Sequence, residues 1–532
     1  MSTTDRSRRE FLRAATAVGG GLILGGGLLG CGERDAAAGT ATAAAKDPTP
    51  RHGGRLRFGI IDGDLSGNLD AHKPAGIGST IRGFAIYSKL WEWSEEMTPR
   101  LALAEEAETN ADATTWTIRL RKGLEFHNGK TITADDVIFS TLRLTDPELA
   151  SPYRHLVSGI DRSRIEKLDE RTVRINMKEG HGFLPLADAW VNFGGIVPPD
   201  YHPVINPVGA GPYRIKDFKP GQRALLTRFE NYYKPSKPYT DELEIIEFKD
   251  QTSRYAALVG GQVDLVYGLA PEQTALFRNN PRASLQVSEA HRWQGFSLNL
   301  KKTPFDDVRV RQAFRLIADR EELIRRVLNG QGRLANDLYS PRDPTFLATL
   351  PQRHQDLDRA KALLREAGHE RLSLELVASA AGSAAAVAFA EQARRAGVEL
   401  KIRQVDLATF NGPQMRDWQI STYEGMGESY LSTAARTDGP ISASNRTNFS
   451  DERFDELFRT AVQRTDVQAR VPLAHEMQQI QHERGGLLIW AYSNVLDGVS
   501  PRVGGISPEH SHFSTWRFEN FWLRDAQPAT TA

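Results

Sequence analysis

The chain has 532 residues, 40% of them hydrophobic, with 67 basic side chains, 67 acidic ones and a single cysteine. At roughly 100–200 residues per domain this length means roughly two to four domains, with enough apolar side chain for a large core. Zero net charge gives no basic field for nucleic acid and no acidic excess of a solvating disordered chain. One cysteine excludes internal disulfides and thiolate metal clusters.

The chain opens MSTTDRSRREFLRAATAVGGGLILGGGLLGCG. Arg8 and Arg9 precede Phe11 and Leu12, and residues 14–30 carry no charge before Cys31. A charged head, an apolar middle and a small residue before a cut site are the parts of a secretory signal. Seven of those seventeen residues are glycine, a poor composition for a spanning helix, which needs about 20 predominantly apolar residues. Ser7-Arg8-Arg9-Glu10-Phe11-Leu12 resembles the twin-arginine export signal, and Leu28-Leu29-Gly30-Cys31 resembles the bacterial lipobox, which implies removal of residues 1–30 and a diacylglyceryl group on Cys31. Two acyl chains suffice for stable anchoring where one does not. The Ala-, Thr- and Pro-containing stretch 32–50 has no apolar periodicity and reads as a flexible tether. The leader holds four arginines and two carboxylates, so the remainder has 63 basic and 65 acidic residues.

Along the remainder, residues 53–61 alternate Leu56, Phe58 and Ile60 with Arg55 and Arg57, the period of a half-buried strand. Segment 114–144 predicts a strand with Trp116, Ile118 and Leu120 on one face, then a turn, a second short strand, an Asn128-Gly129 turn, and a helix opened by Thr133 with Asp136 three residues on. Residues 171–177 alternate again, and 208–233 predict two strands joined at Lys219-Pro220-Gly221. Segment 241–268 predicts a strand, a short helix, a Gly-Gly stop and a buried strand. A strand at 293–300 precedes two helices in 305–332, with Val310, Phe314 and Ile317 on one face. A helix at 356–370 leads to strands 372–378 and 398–406 around an Ala-rich helix at 383–396. Helices at 454–465 and 472–486, an apolar strand at 487–499 and a disordered tail after Leu523 complete the chain. No internal repeat is visible, and the alternation of strands with helices predicts an α/β layer.

Four blocks in this order resemble the extracellular solute-binding proteins, family 5, of ABC importers: residues 101–140, VGAGPYRI at 208–215, residues 298–324, and NRTNFSDERFDELFRTA at 445–461, followed by Glu476, Gln478 and Ile480. The resemblance runs from about residue 53 to about 505. It implies a periplasmic-binding-protein-like α/β fold of two lobes, with an extra domain inserted in the first lobe. Domain I would comprise 51–85, 190–290 and 490–525, domain II 86–189, and domain III 291–489, with crossing segments near 293–300 and 489–495. It also implies a monomer outside the cytoplasm that captures a solute, presents it to an ABC permease and its ATPase, and uses no cofactor. A short peptide or peptide-like compound is the solute the resemblance favours. A sugar, opine or metal chelate in the same fold, or a surface lipoprotein that senses without transport, are the alternatives.

In peptide-binding members a domain III strand ends at an aromatic residue, and an Asp-rich loop after it supplies a carboxylate for the peptide ammonium. Here the strand is Trp418 to Thr422 and the loop is YEGMGESYLSTAARTDGP (423–440). Tyr423 takes the aromatic position, the Asp-Pro-Asp pattern is absent, and Glu424 and Glu428 are the carboxylates that would replace it or stand as solvated loop residues. Trp190, Trp293, Trp418, Tyr423 and Tyr430 are candidate aromatic walls, each with core filling as its bland alternative. Asn68 and Ser79 are candidates in the loop after the first strand, where Asp70 reads as a local backbone cap. Thirteen histidines are scattered, the closest pair being His510 and His512, His127 reads as part of a structural turn, and no metal site is predicted. The motifs H-E-x-x-H, G-x-S-x-G and G-x-x-x-x-G-K-[ST] are absent, which argues against an enzyme.

Overall fold

The computed structural model describes residues 49–61, 67–74, 76–186, 190, 194–427, 429–439, 442, 444–511 and 513–526. The leader, Cys31 and the tether, and also Glu428 and His512, lie outside the described residues.

An 11-stranded sheet runs through the described chain. At its centre the 15-residue strand Ser284–Leu298 pairs antiparallel with the 13-residue strand Leu487–Val499. On one side follow Ile420–Gly425, Leu372–Ala378 and Val398–Gln404, and on the other Leu265–Val266, Arg55–Ile60, Glu242–Glu247, Arg223–Arg228 and Tyr213–Lys219. The short strand Gly332–Leu334 adds to Leu487–Val499. A separate four-stranded sheet orders Ala104–Thr109, Thr115–Leu120, Thr172–Met177 and Ile160–Asp169.

Local chemistry explains most of these elements. Leu56, Phe58 and Ile60 are buried beneath flanking Arg55 and Arg57, and Phe58 meets Phe518 edge-on at 5.3 Å. Trp116, Ile118 and Leu120 share the buried face of their strand, and Asp136 accepts the Thr133 N–H at 2.8 Å to open the helix Ala134–Leu144. The helices Val308–Ile317, Arg320–Val327, Leu357–Glu366, Glu452–Gln463 and Val467–Arg484 each begin at an aspartate whose carboxylate accepts a first-turn N–H. Between the two parallel strands Leu372–Ala378 and Val398–Gln404, the helix Ser383–Arg395 places Phe389 in a stack on Phe296 at 4.5 Å.

Four expectations need correction. Residues 124–128 form no strand, only a bridge between Glu125 and Thr131 closed by the Gly129 turn, because the arm is too short to sustain a ladder. The helix placed at 472–486 starts at Val467, with Pro472 inside it; the carbonyl that Pro472 leaves without its helical donor belongs to Gln468, which is exposed to water. The strand placed at 293–300 starts nine residues earlier, at Ser284. The chain just after Leu523 is ordered, with Arg524 N–H donating to the Arg502 carbonyl at 2.8 Å and Asp525 paired to Arg502 at 2.7 Å.

The central pair is not one uninterrupted ladder. Residues 284–288 face 495–499 and residues 292–297 face 487–493, with a register break at 289–291. Arginines cover the break: Arg333 donates to the Ala290 carbonyl at 3.1 Å and pairs with Glu289 at 3.2 Å.

Two buried aspartates tie other segments to Leu487–Val499. Asp337 accepts the Ile489 N–H at 3.1 Å, both its carboxylate oxygens accept from Arg320 Nη2 at 2.9 Å, and it also pairs with Arg353. Burial works to raise its pKa, but the guanidinium groups of Arg320, Arg353 and Arg315 overcome it and bring it down to about 2. Asp497, in the strand itself, accepts the Gly268 N–H at 2.8 Å and the hydroxyls of Ser514 and Thr515, while Arg254 holds the Tyr267 and Gly268 carbonyls. Burial pushes Asp497 up to about 7, against those hydrogen bonds and the more distant Arg254 charge.

Asp337→Asn takes the counter-charge from the buried Arg320 and the half-buried Arg353 and should cost about 3–5 kcal/mol in urea unfolding at pH 7. Because the folded pKa lies below the unfolded one, the wild-type contribution is complete above about pH 4 and is lost as pH falls toward 2. Asp497 has the opposite sign. The folded chain keeps a proton that the unfolded chain releases, so between about pH 4 and 7 stability declines with rising pH by up to about 1.4 kcal/mol per unit. Asp497→Asn should flatten that slope and raise the urea midpoint at pH 8; a slope unchanged in the variant would assign it to another group.

Candidate functional site

A large cavity, about 1030 Å³, opens where three parallel strands end. Leu372–Ala378 delivers Ser379, Ala380 and Ala381 to its wall, Val398–Gln404 delivers Gln404 to Leu407, and Ile420–Gly425 delivers Tyr423, Glu424 and Gly425. The crevice outside the carboxyl ends of parallel strands is the usual ligand position in open α/β sheets, since loops there vary without disturbing the ladder. Arg292 from the central strand, Pro152 and Tyr153 from before the strand Ile160–Asp169, Arg436 from the helix Tyr430–Thr437, and Ser444 and Arg446 after that helix also line it.

The aromatic wall is layered. Tyr423 faces the cavity, donates its hydroxyl to the Ser444 carbonyl at 3.1 Å, and meets Trp293 edge-on at 4.8 Å behind it. Trp293 is fully buried, and Gly425 makes that packing achievable: a Cβ there would fall 2.3 Å from the indole. Phe410 also lines the cavity and is backed by Trp418, stacked on it at 5.7 Å.

Charge in the cavity is local. Glu424 is paired with Arg292 at 3.2 Å and accepts from Gln294, its cross-strand neighbour, at 3.2 Å. Arg446 is buried over the rings of Phe410 and Tyr423, at 4.4 and 4.8 Å from their centroids. A smaller hollow of about 260 Å³ is lined in part by Trp93, Met97, Phe183, His291, Arg342 and Ser429. Burial, then the charges of Arg342 and Arg333, push His291 down to about 3, so it is neutral at pH 7. Met426, which lines the large cavity, packs on the core that contains Phe58, Tyr267 and Trp516.

Of the residues singled out in the sequence, Tyr423 and Glu424 line the large cavity, while Trp293 and Trp418 stand one layer behind it. Tyr430 is in the core, stacked on Tyr339 at 5.4 Å with its hydroxyl donated to Gln481 at 2.9 Å. Trp190 is likewise buried, against Trp91. Asn68 and Ser79 are engaged with one another away from the cavity: the Asn68 N–H donates to Ser79 Oγ at 3.1 Å, and Arg82 donates to the same oxygen. Asp70 caps the N–H groups of His72 and Lys73, as a local turn would have it, and also pairs with Arg143 at 2.6 Å. His127 lies against Phe229, its ring nitrogen 3.0 Å from the Gly211 carbonyl. Among the described residues no three His, Cys, Asp or Glu side chains are grouped to hold a metal. Arg292, Phe410, Arg446 and Tyr153 went unselected in the sequence, though Arg446 sits inside the NRTNF block and Arg292 directly precedes Trp293.

Comparison with known proteins agrees with this architecture. The chain is 28% identical over 465 residues to heme-binding protein A of Haemophilus influenzae, covering 79% of this chain and 84% of that one. It is 27% identical over 484 residues to the dipeptide-binding protein of Escherichia coli, covering 82% and 88%. Its fold matches the periplasmic binding protein DppA from Helicobacter pylori, solved with the peptide STSA, with a TM-score of 0.79 at 20% identity over 89% of this chain and 99% of that one. It also matches AgaA from A. tumefaciens, solved with agropinic acid, with a TM-score of 0.78 at 24% identity over 89% and 99%. Residues 98–445 match the model of the solute-binding family whose blocks the sequence carries, and the chain belongs to the bacterial extracellular solute-binding proteins, family 5.

Proposed function

We propose that this protein is the solute receptor of an ABC importer, taking up a short peptide or peptide-like compound between two lobes and handing it to a membrane permease and its ATPase. The observation that carries the reading is the large cavity at three strand ends, walled by Tyr423 and Phe410 and edged by the Arg292–Glu424 pair, in a chain of this family. The likeness to the dipeptide-binding protein supports a peptide in particular.

In this reading domain I comprises 51–85, 190–290 and 490–525, domain II 86–189, and domain III 291–489. The register break at 289–291 is the flexible part of the connection, because a gap in the ladder absorbs backbone rotation at little loss of hydrogen bonding. Closure brings Tyr423 and Glu424 against the solute, and the affinity comes from contacts made in the closed state alone. The protein works as a monomer held to the outer face of the cell membrane by lipid on Cys31, after export by the twin-arginine route.

Two experiments test this. In a thermal-shift screen against di- to pentapeptides, opines, oligosaccharides and metal chelates, a peptide at a hundredfold its Kd should raise Tm by about 2–3 °C. Stabilisation by a sugar with no response to any peptide would overturn the choice of solute and leave the receptor role standing. Cys31→Ala should move the exported chain from the membrane fraction to the soluble one. A variant that still pelleted with membranes after leader cleavage would refute the lipid anchor.

A further inference from the structure

Residues 180–182 belong by their bonding to the unit of the four-stranded sheet: the His181 N–H donates to the Ala113 carbonyl at 2.7 Å, and the His181 carbonyl accepts the Trp116 indole N–H at 2.9 Å. The next amide is bonded elsewhere. Gly182 N–H donates at 2.7 Å to the carbonyl of Val462, one of the last four in the helix Glu452–Gln463, which have no donor within their own helix. Arg470, 4% exposed in the following helix, donates from Nη2 to the Gly182 carbonyl at 3.0 Å and from Nε to the Arg464 carbonyl at 2.8 Å. The two backbones approach this closely because residue 182 is glycine: a Cβ there would fall 2.4 Å from the Arg464 carbonyl carbon and oxygen, and its three nearest atoms all belong to Arg464 and Thr465. Two hollows adjoin the contact. One of about 400 Å³ is lined in part by Gly180, His181, Phe458 and Val462, and the hollow of about 260 Å³ is lined in part by Phe183, Val467 and Arg470.

A permanent contact is packed like a protein interior, with few voids larger than a water molecule. This one is bordered by open volume, and its polar part is backbone groups and one guanidinium, which water can satisfy when the two sides part. Phe183 shares an apolar cluster with residues of both units, Leu156 and Leu431 among them, so bringing the sides together also buries apolar surface. We propose that Gly182, Val462 and Arg470 form a latch that is made as the lobes close and that sets how tightly a solute is held without touching it. None of the three lines the large cavity. The latch rests on the two-lobe reading above, in which 86–189 and 291–489 are separate domains, and adds to it a contact on which affinity depends and selectivity does not. A contact made in the closed state alone favours that state equally for every solute.

Hydrogen exchange on the purified chain tests it, because His181 and Gly182 are neighbouring amides with bonds of equal length into different units. Without solute, Gly182 should show at least tenfold less protection than His181. Alanyl-phenylalanine or glutathione, whichever calorimetry shows to bind, should raise the protection of Gly182 and leave His181 unchanged. Gly182→Ala should bind the same solutes tenfold or more weakly, by one common factor, and keep their order. Equal protection of the two amides, no added protection from a solute that binds, or unchanged affinity in G182A would each overturn the latch while the receptor reading stands. Where neither solute binds, the choice of a peptide falls and the solute-free exchange alone decides the latch. Should G182A not fold, the exchange measurements on the unaltered chain are sufficient, since a contact made in every state protects both amides alike.

Discussion

The antiparallel pairing of Ser284–Leu298 with Leu487–Val499 is the constraint on which the rest of the molecule depends. Strands in a sheet can be added only along an unpaired edge. Each half of the large sheet is therefore built outward from one of these two strands, toward Val398–Gln404 on one side and Tyr213–Lys219 on the other. Asp337 and Asp497 fasten loops to the same strand, one by a charge network and the other by neutral-type hydrogen bonds in a site that disfavours ionisation. The pairing slackens at 289–291 and shifts register again between Gln294 and Gly295, and Glu289 and Ala290 in the first break are held by side chains in place of ladder bonds.

Local patterns in the sequence were sufficient for most single elements, because alternation, aspartate caps and Gly turns act within a few residues. Arg55–Ile60, the strands on either side of Gly221, and the helix between Leu372–Ala378 and Val398–Gln404 are all of this kind. Sheet order was not legible, since Ser284 faces Val499 across more than two hundred residues and no local pattern records that. The same fact hid the length of Ser284–Leu298: its first half is rich in polar residues and becomes a strand because the partner strand is there to pair with. Pro472 misplaced a helix start because proline usually marks one, yet a proline is tolerated further in when the carbonyl it strands faces water.

The site was legible in part. Tyr423 and Glu424 could be placed by the family pattern of the strand and loop that contain them. Trp293, Trp418 and Tyr430 show the limit of choosing aromatics by type, since a wall and the layer that stiffens it call for the same residues. Arginines fail in the opposite direction. In a sequence they read as solvated surface, and only the structure shows Arg446 buried at the cavity wall. Glu424 gains a different meaning as well, because a cationic group on a solute would have to compete with Arg292 for it.

The position of the cavity at strand ends has a consequence for how such a protein can change over generations. Tyr423, Glu424 and Arg292 come from the strands themselves, but much of its lining, including Ser379, Ala380, Asp406, Phe410 and Arg446, comes from connections after Ala378, Gln404 and Thr437 that contribute no rung to the ladders. Substitutions there alter what the wall offers at small cost to stability, whereas substitutions in the central strands are felt across both halves. Relatives with only 20% of residues in common still superpose on this chain over 89% of its length. A scaffold with selection separated from support can drift to a new preference one loop at a time, without passing through an unfolded intermediate sequence.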